Sequence, residues 1–241
     1  MKTIDNIEFI IDRFPKGYIF TYSNFHIEVN KREAVIKCLN RLVTSGKIKK
    51  LAKGKYYKPE NSAFGNLPPS QYQVVKDLLE KNGKVIGYIT GYGAYNELGL
   101  TTQISNRIQI GKNEIRSNLK RGLYNISFIK QKNKITKDNI SLLKIVDSIR
   151  FIKTIPDTTI DQSCSRLIAI IKELTKPELE SIMKLALKYT PATRALLGAL
   201  IETSKGKKKA EVLRKSLNPI TTYRLSISKT ILPNAKNWNI E

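Results

Sequence analysis

The chain has 241 residues, with 43 Lys and Arg against 20 Asp and Glu, a formal net charge of +23. That length suits one large domain or two small ones with a proper buried core, and 41% hydrophobic residues with 13 Gly and 9 Pro exclude disorder, a collagen-like chain and a low-complexity scaffold. A positive surplus of this size points to a polyanionic partner, nucleic acid first; its placement along the chain separates that reading from a merely solvated lysine surface.

No run reaches the roughly 18 apolar residues of a membrane span, so no membrane partner is expected. Asp5, Glu8 and Asp12 interrupt any apolar leader. Cys38 and Cys164 stand too far apart in sequence to suggest a disulfide framework, and the expected location is the cytoplasm. The single histidine, His26, excludes most catalytic triads and two-His zinc motifs; neither metal nor cofactor is expected.

In chain order, Ile4, Ile7, Ile10, Ile11 and Phe14 recur at helical spacing until Pro15-Lys16-Gly17 stops the run. Tyr18-Ile19-Phe20 predicts a short strand, and Thr21 opens a brief helix through Phe25. Asn30 with Glu33 reads as an Asn form of the capping box. Behind it Val35, Cys38, Leu39 and Leu42 make one apolar stripe, which leaves Lys37, Asn40, Arg41 and Thr44 on the opposite face. Gly46 ends that helix. Residues 47–58 hold six lysines and no acid, and predict two strands turning at Lys53-Gly54. Helix, short helix, longer helix and basic hairpin is the order of a winged helix-turn-helix, in which the third helix enters the major groove and the hairpin touches the flanking backbone. Lys37, Asn40 and Arg41 carry the groups that read base edges; Lys31, Arg32, Lys49, Lys50, Lys53 and Lys55 suit phosphates, and Thr44, on the helix face of the base readers, is the tenth residue expected to contact DNA. Cys38, on the apolar stripe, is expected to be a buried, inert thiol.

Residues 61–69 break the periodicity and read as a linker between a DNA-binding domain (1–60) and a second domain (70–241). In the latter, Val74, Val75, Leu78 and Leu79 predict a helix closed by Asn82-Gly83, and 84–89 a strand. Gly91-Tyr92-Gly93-Ala94 opens a helix; without a Gly-Lys-Ser/Thr ending its glycines suit close packing rather than a phosphate cradle. Arg107-Ile108-Gln109-Ile110 and Asn125-Ile126-Ser127-Phe128 alternate as strands do, and 107–137 forms a second basic stretch. A helical part follows over 138–204: one helix on Leu142, Ile145, Val146, Ile149 and Ile152, one on Cys164, Leu167, Ile168, Ile171 and Leu174, one opened by the Thr175–Glu178 capping box, and one from Thr190-Pro191. Tyr223, Leu225 and Ile227 alternate and predict a late strand returning to the sheet. The fold class expected is α/β in the α+β sense, a winged helix followed by a mixed sheet-and-helix domain ending in a helical bundle.

The segment 46–59, above all Lys53-Gly54-Lys55-Tyr56-Tyr57-Lys58-Pro59, resembles the wing of AbiEi-type antitoxin regulators of abortive-infection loci, and Gly91-Tyr92-Gly93-Ala94-Tyr95-Asn96-Glu97-Leu98-Gly99-Leu100-Thr101-Thr102-Gln103 is similar to a motif that follows the wing in their relatives. The likeness covers about the first 130 residues. It implies a type IV toxin–antitoxin system, in which a winged helix represses its own operon at operator DNA and a C-terminal domain neutralises a nucleotidyltransferase-like toxin, with no stable complex required. That wing usually has Arg before its glycine; Lys53 keeps the charge but lacks the bidentate fork.

The alternatives are a DNA-targeted metal-dependent nuclease, for which Asp157, Asp161, Glu173, Glu178 and Glu180 are the available acids, and a protein-binding adaptor built on the winged helix. The acids stand at helix starts, where capping accounts for them.

Overall fold

A computed structural model describes residues 3–25, 31–63 and 65–241; His26, and Asn30 with the capping box predicted on it, lie outside these. The protein is a mixed α+β chain that divides into two compact units. One takes the described residues up to Asp77 together with Leu119–Tyr124; the other takes Leu78–Asn118 and Asn125–Glu241.

In the first unit, α1 (Thr3–Arg13) leads to β1 (Ile19–Phe20), a single 3-10 turn (Tyr22–Phe25), α2 (Arg32–Thr44), β2 (Lys49–Ala52) and β3 (Lys55–Tyr57). The strands form one antiparallel sheet in the order β1-β3-β2, with Phe20 opposite Tyr56 and Lys50 also opposite Tyr56. Gly54, at φ +70°, makes the β2–β3 turn. The predicted apolar stripe holds: Val35, Cys38, Leu39 and Leu42 are buried with Ile7, Ile11, Phe20, Phe25, Ile48 and Tyr56 in one core. Phe20 meets Phe25 edge-on, ring centroids 5.9 Å apart, which locks the short turn beneath α2. Lys47 ties the end of that hairpin to α1 through Glu8 (3.0 Å) and Asp12 (3.1 Å), one turn apart.

The predicted linker at 61–69 is instead a hairpin, β4 (Glu60–Ser62) with β5 (Gly65–Leu67), followed by α3 (Gln71–Leu79). Apart from the exposed Leu67 its strands carry no apolar side chain, so the alternation that marks a half-buried strand is missing from the sequence. The domain boundary expected at 60 falls at Asp77, with β10 (Leu119–Arg121) added to this unit. Arg121 supplies the reason. Buried to 7% exposure, its guanidinium grips both carboxylate oxygens of Asp77 on α3 at 2.5 and 2.9 Å and donates to Val74 O at 2.6 Å.

In the second unit, β6 (Glu80–Lys81) and β7 (Lys84–Val85) pair across Asn82-Gly83, both at positive φ. The Asn-Gly pair thus makes a two-residue hairpin rather than a helix end, which the sequence reading missed. β8 (Gly87–Thr90) pairs antiparallel with β9 (Arg107–Lys112), and β11 (Tyr124–Lys130) pairs parallel with β9 from Asn125 opposite Arg107 onward. α4 (Tyr92–Glu97) enters through Gly91, at φ +61°; a Cβ there would stand 2.9 Å from the Gln109 side chain, so the glycine serves close packing against β9, as expected.

The helical part follows as α5 (Ile140–Arg150), α6 (Ile160–Glu173), α7 (Lys176–Ala186), α8 (Pro191–Lys205) and the short α9 (Glu211–Lys215). Thr175 and Glu178 form the predicted capping box. α8, buried throughout 195–202, is the axis against which α5, α6, α7 and α9 pack. One polar network threads this core. Asp147 on α5 accepts from Tyr88 Oη (2.6 Å), Thr90 Oγ1 (3.0 Å) and Tyr189 Oη (2.8 Å), while Gln131 Nε2 donates to both tyrosine oxygens. Burial pushes the Asp147 carboxyl up against those three donors. The late strand predicted on Tyr223, Leu225 and Ile227 is absent. Tyr223 and Leu225 are buried, but their backbone pairs with Asn239 and Glu241 at the chain's own end, and only an isolated parallel bridge to Ile240 forms.

Candidate nucleic-acid interface

The candidate site is the outward face of α2 and the hairpin beside it. Burial of Val35, Cys38, Leu39 and Leu42 fixes the helix rotation, and Lys37, Asn40, Arg41 and Thr44, at i, i+3, i+4 and i+7, are exposed together on the far face. Three are partly engaged, Arg41 by reaching the Cys38 thiol. Thr44 Oγ1 donates to Asn40 O within the helix (3.1 Å), leaving only acceptor capacity outward. Asn40 Oδ1 accepts from Tyr56 Oη at 3.3 Å, which aims the amide and leaves its NH₂ without a bond among the described residues. Burial pushes the Cys38 thiol up, in keeping with an inert core cysteine.

Arg32, in the first turn of α2, lies over the Tyr22 ring, 4.3 Å from guanidinium carbon to centroid, so its planar fork is pre-set at the helix start. Lys31 is the exposed residue preceding it.

The hairpin lysines separate by strand alternation. Lys50 opposes Tyr56, whose hydroxyl reaches α2, so Lys50 stands on the helix side of the sheet; Lys53 is exposed at the tip. Lys49 opposes Tyr57 on the other side. Lys55, two residues before Tyr57, is on that side too and is ion-paired with Asp77 at 3.0 Å, its side chain only 21% exposed. Leu51 confirms the division: its Cδ1 lies 3.2 Å from where a Gly122 Cβ would stand, so α2 covers one face of the sheet and the Asp77–Arg121 layer the other. Of the ten residues expected to contact DNA, Lys49 and Lys55 therefore do not share the α2 surface, and Lys55 already has its counter-charge. Burial raises the Asp77 carboxyl, but the Arg121 and Lys55 bonds outweigh it and hold the group below the ordinary carboxylate range. No local sequence signal announces this, since Asp77 and Arg121 are 44 residues apart.

The second basic stretch is also thinner than its composition suggests. Lys112 is buried and donates to Leu78 O at 3.2 Å, and Arg121 is consumed by Asp77. The acids available to a nuclease are dispersed: Asp161 Oδ1 accepts from Ser228 N (2.9 Å) and Glu178 closes its own cap. Among the described residues no three His, Cys, Asp or Glu side chains gather as a metal site, and no helix is long and apolar enough to cross a membrane.

Among known proteins, the model of DUF6088, a family of unknown function, matches residues 6–182, and the chain belongs to that family. The crystal structure of the RV2827C protein from Mycobacterium tuberculosis is similar at a TM-score of 0.58 and 10% identity, over 92% of this chain and 84% of that one, a likeness of fold alone. No curated protein matches.

Proposed function

We propose that this DUF6088 member is a DNA-binding transcriptional regulator whose first unit works as a winged helix. In this reading α2 lies in the major groove, with Lys37, Asn40 and Arg41 toward base edges: Arg41 suits guanine, Asn40 adenine. Lys31 and Arg32 meet phosphate at the helix start, and Lys50 and Lys53 hold the flanking backbone. The observation that carries the reading is one surface: Lys37, Asn40 and Arg41 exposed at helical spacing on α2, bordered by a hairpin lysine on the same side of a β1-β3-β2 sheet. Helix before hairpin in that strand order is the arrangement in which a winged helix presents both elements to a duplex.

The resemblance of the wing and the Gly-Tyr-Gly-Ala motif extends the proposal to an antitoxin that represses its own operon and counters a nucleotidyltransferase-like toxin encoded beside it. Two experiments test the two halves. A mobility shift on the DNA upstream of the gene should show a discrete complex, weakened about 10- to 100-fold by Arg41→Ala if a bidentate base contact of roughly 1–3 kcal/mol is lost; unchanged affinity would favour a protein-binding adaptor. Co-expression with the neighbouring gene should rescue growth, and failure to rescue would remove the antitoxin role while leaving DNA binding intact.

A further inference from the structure

The second unit contains a cavity of about 500 Å³ that DNA binding does not use. It lies where the end of α5 and the turn after it meet the start of α8 and the extended segment 222–225. Three cations stand around it, Arg150, Lys153 and Arg224, all exposed, and none of the residues lining it carries a carboxylate. Arg150 is stacked on the Phe151 ring, 4.9 Å to the centroid, and Lys153 Nζ donates to Arg224 O at 2.6 Å, so two of the three are pre-set by contacts that are not ion pairs, although the buried Asp147 carboxyl one turn before Arg150 feels its charge. α8 brings its first turn to the same place. Pro191 has no N–H to offer, but those of Ala192 and Thr193 have no partner within the helix, and the Thr190 and Thr193 hydroxyls share one hydrogen bond of 2.8 Å.

A separate observation concerns Tyr223. It lines the cavity, it is 7% exposed, and its hydroxyl has no hydrogen-bond partner among the described residues. Buried hydroxyls are almost always satisfied, and one that is not marks a group awaiting a partner. Phe151, Ile152, Leu196 and Leu225 make an apolar wall, with Thr154 and Thr222 also at the lining.

We propose that this cavity binds a small organic anion, a phosphate or carboxylate joined to a flat apolar body. The anionic group would sit between Arg150, Arg224 and the first turn of α8, the body against Phe151 and Leu196, with Tyr223 supplying a hydrogen bond. The volume falls within the range of about 300–1,000 Å³ typical of small-molecule sites and matches a ligand the size of a nucleoside monophosphate.

Thermal unfolding of the full chain, read with millimolar AMP or salicylate and with their neutral counterparts adenosine and 2-hydroxybenzyl alcohol, tests this. At least one anion should raise Tm by about 2–6 °C in a saturable way while its neutral counterpart does not. A rise with AMP alone identifies an organic phosphate, one with salicylate alone a carboxylate, and either supports the site. Arg150→Ala combined with Arg224→Ala, both exposed and therefore tolerated by the fold, should abolish the shift; Tyr223→Phe should weaken it severalfold. No shift with either anion overturns the proposal. So does an equal shift with the neutral compounds, or a shift that persists in the double variant and so reports general screening of a cationic protein.

Discussion

Two lysines at the tip of one hairpin, Lys53 and Lys55, look equivalent in sequence and are not. Lys53 is exposed, whereas Lys55 turns to the opposite side of the sheet and meets Asp77. Lys53→Ala should therefore weaken DNA binding and reduce the salt slope by about one unit per complex of one protomer. Lys55→Ala should leave that slope unchanged and instead cost about 0.5–1 kcal/mol of stability, since the pair is only partly buried; fluorescence anisotropy and urea unfolding separate the two. Asp77 gives a pH dependence of definite sign. Its carboxyl titrates lower when folded than when unfolded, so the stabilisation it carries is present above the unfolded value near 3.8 and is lost as pH falls through the folded one. Urea midpoints followed down through pH 4 should drop, and Asp77→Asn should flatten that fall; an unaltered acid limb in the variant would show that Arg121 does not depend on the ionised form. Neither effect is legible in sequence, because alternation assigns a side of the strand but not what covers it.

Elements with a strong period or a clear start signal were legible: α2 from its stripe alone, α7 from Thr175 and Glu178, and α8 from Thr190-Pro191. Those misread had a signal with two meanings or none. Asn82-Gly83 fits a helix end as well as a hairpin, and β4–β5 carries no apolar alternation. Tyr223 and Leu225 alternate because one side is buried, yet their backbone finds the chain's own last residues. The segment ending at Glu241 is held by Trp238, 1% exposed, whose Nε1 donates to Glu202 Oε2 at 2.8 Å; Arg214 pairs with the same carboxylate. The Trp238 ring lies against Gly198 on α8, 2.1 Å from where a Cβ would stand. Gly198→Ala should thus destabilise the protein by about 1–3 kcal/mol through overpacking, although alanine is the better helix former. A urea midpoint at or above that of the parent chain would mean that Trp238 does not seat there.

Across the whole molecule, the net charge of +23 pointed to a polyanion, and the fold sharpens how much of it one surface can use. Six residues, Lys31, Arg32, Lys49, Lys50, Lys53 and Lys55, were expected on phosphate; removing Lys49 and Lys55 from the α2 side leaves four. The two-unit division was half legible, since composition shows a break near 60 but the ties from Arg121 to Asp77 and Val74 run across more than forty residues of chain. The charge count can be read in solution. Affinity for a fragment carrying the upstream DNA, measured by anisotropy between about 50 and 200 mM salt, should fall ~10²-fold per bound protomer, a log–log slope near −4 for about four released counterions. Binding that ignores salt, or no binding at either salt concentration, would contradict a DNA-reading α2.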